Sequence, residues 1–364
     1  MKIDCARSDL LDVIQTVARG ISTRSTLPIL SGILFHAEGD RLSAQTTDLE
    51  IAIRTSIPVK VNQSGSTVIP AKILGDVVRS LEESSVSLES EASQAVLRSQ
   101  QSVFEIRTLP PEDFPRFPEV EPQQQCTLPS QPATELIRQV GRAVSSDETR
   151  PVLTGVLVTA GKDSIRMVAT DSYRLAMRQV PIERGAEEEV KVLVPARTLD
   201  ELTRILPEKE EEITLGVGEN QAVFTFGDTT FVSRLIEGQF PNYEQLLPDK
   251  YETRIVAEKE EFAAAAKRVS LFALHSSPMR ILFEEGAARL SAASQDVGGA
   301  VEEIKVEQEG ATIEIALNHQ FLIDGLSTMA GEKVAIELTS PLKPGLIKSI
   351  EQDHLYLIMP VRIS

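Results

Sequence analysis

Three aspartates are the residues best suited to chemistry in this chain. Asp48 follows Gln45-Thr-Thr47, Asp171 follows Val168-Ala-Thr170, and Asp296 follows Ala293-Ser-Gln295. Such carboxylates could move protons or hold a hard cation. Their spacing points elsewhere: Asp48 and Asp171 are 123 residues apart, and Asp296 lies a further 125 along. One active site rarely needs three copies of a residue, whereas a turn held by an Asp side chain recurs with every copy of a fold. His36, His275, His319 and His354 make no metal-ligand spacing, and no glycine-rich phosphate loop is present. The expectation is no catalytic residue, no metal and no cofactor. Cys5 and Cys126 cannot build a disulfide framework and read as small buried hydrophobes.

The basic residues form the second pattern. The chain carries 54 acidic and 37 basic residues, a net charge of −17, which counts against nucleic acid unless the positive charge is gathered on one surface. It is gathered in part. Lys72 and Arg79 are seven apart, and so are Arg197 and Arg204; Arg138 and Arg142 are four apart. Either spacing puts both residues on one helix face. Lys259, Lys267 and Arg268 crowd another helix, while acids collect at 187–189, 208–212 and 302–309. On one helix such a face is ordinary solvated surface. Recurrence over several helices weakens that reading, although the stripe is incomplete because the last helix, Gln320–Ala330, carries no basic residue. With no Trp and 4% aromatics, a stacking platform for single strands is not expected.

The elements that carry these residues repeat. Thr26-Leu-Pro-Ile-Leu-Ser-Gly-Ile-Leu34 matches Thr149-Arg-Pro-Val-Leu-Thr-Gly-Val-Leu157, and Val68-Ile-Pro-Ala-Lys-Ile-Leu74 matches Leu193-Val-Pro-Ala-Arg-Thr-Leu199. Asp113-Phe-Pro115 matches Gln239-Phe-Pro241. A fainter third copy holds Met279-Arg-Ile-Leu-Phe283, Asp296 and Ala316-Leu-Asn-His-Gln-Phe-Leu322. The copies are expected at 1–122, 127–248 and 252–364, with linkers at 118–125 and 248–252. Each copy opens with a helical pattern: Leu10, Leu11, Ile14, Val17, Ala18 and Ile21, with Ser8 as cap; Leu136, Ile137, Val140, Ala143 and Val144; Phe262, Ala263, Ala266 and Val269. Strands are predicted at 32–37, 42–45 and 50–57, with turns at 38–40 and 62–66. A second helix follows Pro70 and Pro195, each proline standing at a helix entry. Helices layered on antiparallel sheet make the fold class α+β. No apolar run approaches the roughly 18 residues of a membrane span, so a cytoplasmic protein with no membrane partner is expected.

From end to end the chain resembles the bacterial DNA sliding clamps. The resemblance rests on Leu27-Pro-Ile-Leu30, Thr47-Asp-Leu-Glu50, Thr108-Leu-Pro110, Asp113-Phe-Pro115, Ala169-Thr-Asp-Ser-Tyr-Arg-Leu-Ala176, Phe240-Pro-Asn-Tyr243 and Met359-Pro-Val-Arg362, in that order. It implies three tandem clamp domains and a head-to-tail homodimer closed into a ring, with helices lining the hole and antiparallel sheets outside. The implied task is to encircle duplex DNA without sequence preference and tether the catalytic subunit of DNA polymerase III, as a processivity factor and not an enzyme. A clamp loader, other polymerases and repair proteins would share one peptide-binding cleft. Carried over by motif, that cleft takes Leu153, Thr170, Ser172, Tyr173, Arg174, Leu175, Pro241, Leu246, Asn318, Phe321, Leu342, Pro344, Leu357, Met359, Pro360 and Arg362. The DNA-facing residues would be Arg24, Lys72, Arg79, Arg138, Arg142, Arg150, Arg197 and Arg204, and the ring seam Phe104, Ile106, Leu271 and Phe272. The rival reading is a repeat-built peptide-binding scaffold that does not encircle DNA.

Overall fold

The computed structural model describes residues 1–21, 27–82, 84–91, 93–208, 211–248, 250–273, 278–294 and 296–362. They form two compact units, 1–130 with 201–235, and 131–200 with 236–364.

The first unit holds a five-stranded sheet in the order Lys60–Gln63, Lys2–Ala6, Ser85–Glu91, Gln94–Ser99, Ser102–Arg107. Its eight-stranded sheet runs Gln124–Pro129, Glu212–Val217, Gln221–Phe226, Thr229–Arg234, Ile51–Pro58, Arg41–Thr47, Gly32–Glu38, Gly65–Pro70. Helices α1 (Arg7–Val17) and α2 (Ala71–Ser80) belong here. Apolar residues at helical spacing bury one face of α1, with Leu10, Val13, Ile14 and Val17 at most 3% exposed. Ser8 does not cap α1. Its hydroxyl donates to Asp9 inside the helix, and the helix starts at Arg7 directly from the strand, behind Ala6. Pro70 ends a strand and stands one residue before α2, so it precedes the helix rather than opening it.

The chain passes between the units three times, within α3 (Ser130–Gly141), within α4 (Ala196–Thr203) and between Leu235 and Ile236. In the second unit one twelve-stranded sheet runs Val190–Pro195, Gly155–Ala160, Ser164–Thr170, Arg174–Pro181, His354–Ile358, Gly345–Ser349, Lys333–Leu338, Thr253–Glu258, Gly298–Gly310, Ala287–Ser294, Met279–Glu284, Ile313–Leu317. Helices α5 (Lys259–Ser270) and α6 (His319–Thr328) pack together. In α6, Gly325 lies so close to Tyr356 that a Cβ there would stand 2.6 Å from the ring, so only glycine fits without displacing it.

Every strand pairing in these sheets is antiparallel, and the α+β expectation stands. Several boundaries move. Ala143 and Val144 lie beyond α3, although Ala143 is still buried. Gln124 and Gln125 are strand, which shortens the first linker. The turn expected over 62–66 shrinks to Ser64, between strands Lys60–Gln63 and Gly65–Pro70. Cys126 is buried but Cys5 is only half-buried; burial pushes the two thiols up to about 11 and about 12. Both stay protonated at neutral pH.

Candidate functional site

The repeated aspartates are turn residues. Asp48 Oδ1 accepts from the backbone N–H of Glu50 at 3.0 Å and of Ile51 at 2.7 Å. Asp171 Oδ1 accepts from Tyr173 and Arg174, both at 2.9 Å. The preceding threonine repeats as well: Thr47 Oγ1 donates to Ile51 O at 2.8 Å, and Thr170 Oγ1 to Arg174 O at 2.7 Å. These bonds hold Leu49 and Ser172 at φ of 77° and 79°, a left-handed conformation that non-glycine residues seldom adopt. Asp296 departs from the pattern; its backbone N–H donates to Ser294 Oγ instead.

In the second unit the Asp171 turn aims Arg174 into a network. Arg174 Nε donates to Asp171 Oδ2 at 2.9 Å, and Nη1 donates to Asp324 Oδ2 at 2.6 Å and to the Tyr356 hydroxyl at 3.1 Å. Its guanidinium lies 4.4 Å from the centre of the Phe321 ring. Burial pushes the Tyr356 hydroxyl up, so it remains a neutral partner. Asn318 caps α6 by accepting from Gln320 and Phe321, which fixes the Phe321 ring under Arg174.

The expected cleft residues divide into buried and exposed. Leu153, Leu175, Leu357 and Thr170 are buried. Leu175 and Leu357 share a cluster with Val168, Tyr243 and Leu346, and Phe240 and Leu247 pack against it. Other expected cleft residues are exposed: Tyr173 at 63%, Leu246 at 44%, Leu342 at 70% and Met359 at 37%. The last strand is tied down past its end, since Met359 N–H donates to Tyr173 O and Val361 N–H to Ala316 O, both at 2.8 Å. Ser172, Pro241 and Arg362 are exposed, and Pro344 and Pro360 half-buried. Sequence reasoning missed Asp324 and Tyr356, the two partners that orient Arg174. It also missed Phe240, which packs against the Leu175–Leu357 cluster, although the Phe-Pro repeat marked that loop.

Under the sheet, Arg178 Nη1 donates to Gln139 and Nη2 to Glu135 at 3.3 Å, joining α3 to the strand. His354, opposite Arg178 in the ladder, is 2% exposed. Burial, and then the Arg178 charge, push its imidazole down to about 4. A depressed base destabilises the fold only where the unfolded chain is protonated. Stability is therefore complete above pH 6.5 and falls towards pH 4, by roughly 3 kcal/mol. Urea unfolding at pH 7 and pH 4.5 should show this drop, and His354→Gln should remove most of it. An equal drop in the variant would contradict the assignment.

The basic residues are each placed within a unit. In the first, Lys72, Arg79 and Arg204 line a groove of about 1000 Å³ with Arg19, Asp12 and Asp76. Arg19 was missed because it follows α1 in a short 3-10 turn. Asp76 pairs with Arg79 at 3.2 Å, and Glu201 with Arg204 at 3.3 Å, so the stripe is partly neutralised. In the second unit Arg138 and Arg142 are exposed, Arg142 just beyond α3. Arg197 is exposed too. Arg150 is held by Asp147 at 3.1 Å and donates to Ser172 Oγ at 3.1 Å, which ties it to the Asp171 turn. Arg24 lies outside the described residues.

Of the expected seam residues, Phe104 and Ile106 lie on a sheet-edge strand and Leu271 and Phe272 follow α5. Strand Ser102–Arg107 ends its sheet, with Val103 49% exposed, Phe104 half-buried and Ile106 6% exposed, so Ile106 belongs to the core of its own chain. In strand Gly298–Gly310, residues 298–305 pair on one side only. Val301 there is 65% exposed, and Leu271, which caps α5, is 73% exposed. Phe272 is half-buried.

Models of the N-terminal, central and C-terminal domains of the DNA polymerase III beta subunit match residues 1–118, 127–242 and 244–362. The chain belongs to this family of sliding clamps. The "Beta sliding clamp" of Streptomyces coelicolor is 32% identical over 376 residues, covering all of both chains. The Bacillus subtilis sliding clamp structure matches with a TM-score of 0.96 at 29% identity, again over both whole chains. A Pseudomonas aeruginosa DnaN clamp solved with griselimycin bound matches equally well, with a TM-score of 0.96 and 29% identity over the full length of each. Clamps of this family are processivity factors, not enzymes, and their role is to encircle DNA as a ring. The turn role of Asp48 and Asp171 accords with a non-catalytic fold.

Proposed function

We propose that the second unit's cleft is where this sliding clamp takes the peptides of DNA polymerase III, the clamp loader, other polymerases and repair proteins. The observation that carries it is the Asp171 turn, where exposed Tyr173 accepts from the Met359 N–H and Arg174 is bonded to Asp171, Asp324 and Tyr356. An exposed aliphatic side chain gains about 1.5–3 kcal/mol on burial, so two or three such contacts anchor a short peptide. Met359 can repack for different partners. Leu153, Leu175 and Leu357 act as the floor, and Asn318 and Phe321 position Arg174. Fluorescence polarisation with a labelled peptide carrying a leucine and an aromatic residue tests this. Met359→Glu should weaken binding at least about thirtyfold, an estimate of two kcal/mol for a lost anchor. Unchanged affinity would contradict the assignment.

The ring would close through the Ser102–Arg107 edge of one protomer and the one-sided 298–305 edge of its partner, with Leu271, Phe272 and Phe104 covered at the joint. Three clamp domains are proposed over 1–122, 127–248 and 252–364; the C-terminal family match begins at residue 244, ahead of the proposed third domain. DNA would be met by Lys72, Arg79, Arg138, Arg142, Arg197 and Arg204, with Arg19 added and Arg150 at the turn. Phosphate contacts of this kind carry no sequence information and weaken with salt, which suits sliding. Among the described residues no helix is long and apolar enough to cross a membrane, and a cytoplasmic site of action accords with a replication role.

A further inference from the structure

The turn that builds the Tyr173–Met359 cleft is built a second time in the first unit, with different chemistry. Strand Thr229–Arg234 pairs with Ile51–Pro58 as His354–Ile358 pairs with Arg174–Pro181: Val232 faces Ala52 as Leu357 faces Leu175. Arg234 N–H donates to Glu50 O at 2.9 Å, the counterpart of Met359 to Tyr173. The loop after Asp113-Phe-Pro115 is pinned by Phe117, whose ring lies 4.2 Å from the Arg54 guanidinium. Between these elements lies a cavity of about 130 Å³, lined by Leu49, Ala52, Pro115 and Val232, with Glu50, Arg116 and Arg234 among its charged residues. That volume is close to the ~150 Å³ of an apolar cavity that holds benzene, so it suits one aliphatic side chain.

The lining decides what enters. Arg234 replaces Met359 and Glu50 replaces Tyr173, so the aromatic and thioether contacts are gone. Leu49, 53% exposed on its left-handed turn, supplies an apolar wall instead. Arg116 makes no hydrogen bond or ion pair among the described residues. Arg234 meets Glu50 only at 3.7 Å, with both side chains more than half exposed. Such a pair is worth little in water, and the Arg234 fork can turn to another carboxylate. Two arginines against one glutamate leave the pocket positive in a chain of net charge −17.

We propose that this pocket is a second peptide-binding site, selective for an extended segment in which an acidic residue adjoins an aliphatic one. The aliphatic side chain fills the cavity against Leu49 and Val232, and the carboxylate bridges Arg116 and Arg234. The proposal rests on reading the Tyr173–Met359 cleft as a peptide site, and the two fail separately. Methyl-labelled full-length protein is titrated with two capped peptides, Gly-Ser-Asp-Leu-Ser-Gly and Gly-Ser-Leu-Phe-Ser-Gly, and followed by NMR. The acidic peptide should shift the Leu49 and Val232 methyls and leave Met359 in place. Arg116→Glu should weaken it at least about tenfold, as a lost charge-assisted contact does. No shift at Leu49 and Val232, equal binding of an Asn-for-Asp peptide, or an unaffected Arg116→Glu variant would each overturn the proposal. The aromatic peptide reports on Met359, so its failure there counts against the cleft reading.

Discussion

Leu271→Asp should convert the dimer to monomers without unfolding the chain. Leu271 is 73% exposed just past α5, so it contributes little to the core of its own protomer. One turn earlier Arg268 makes a two-pronged bond to Glu302, at 2.7 and 2.6 Å, which holds the end of α5 against the strand bearing exposed Val301. Pairing with a partner's edge strand would cover this apolar set. Covering one leucine is worth about 2 kcal/mol, and a buried, unpaired aspartate adds a desolvation cost. A two-fold ring has two identical seams, so the effect is counted twice. Together these give at least about 4 kcal/mol, roughly a thousandfold weaker dimer. Sedimentation velocity should show a 39.9 kDa species in place of one twice that mass. The monomer's resistance to urea should change by less than about 0.5 kcal/mol, as for other surface substitutions. A variant that stays dimeric would remove Leu271 from the seam.

Arg174→Ala should destabilise the second unit by about 3 kcal/mol. The Arg174, Asp171 and Asp324 side chains are 13%, 14% and 19% exposed. Removing the arginine leaves two largely buried carboxylates and the Tyr356 hydroxyl short of a partner. Breaking such a network from one side costs about 3–5 kcal/mol, and the residual exposure places the expectation near the lower end. Peptide binding should fall with it, because Tyr173 and Met359 hang from the same turn. Arg174→Lys separates geometry from charge: it keeps the positive end but cannot fork between Asp171 and Asp324, so it should recover less than half of the loss. Thermal melting with calorimetry decides it, and a destabilisation under about 1 kcal/mol in Arg174→Ala would show that the network is not structural.

The parts of this structure legible in the sequence are those set by local chemistry. The Thr-Asp pairs at 47–48 and 170–171 announce an Asp-held turn, and both turns form with the same four side-chain bonds. Apolar spacing located α1, α3 and α5, because a 3.6-residue period leaves few alternatives. Helix starts were less legible. Ser8 has the right side chain for a cap, yet the strand Lys2–Ala6 feeds the helix directly and Arg7 takes the first position. The partners of Arg174 could not be read, since Asp324 and Tyr356 lie 150 and 182 residues away and only the folded sheet brings them together. For the same reason the basic residues showed their spacing but not their neighbours, and Asp76 and Glu201 offset part of the stripe.

Retention on DNA of two topologies tests the central claim most directly. The protein is loaded on a nicked circular plasmid by a clamp loader and ATP, at a salt concentration that disrupts simple phosphate contacts. Half of the sample is then linearised. A ring that encircles the duplex should stay on the circle and be lost from the linear DNA by sliding off its ends. Equal retention on both forms, or equal loss from both, would contradict it and favour a scaffold that does not encircle DNA.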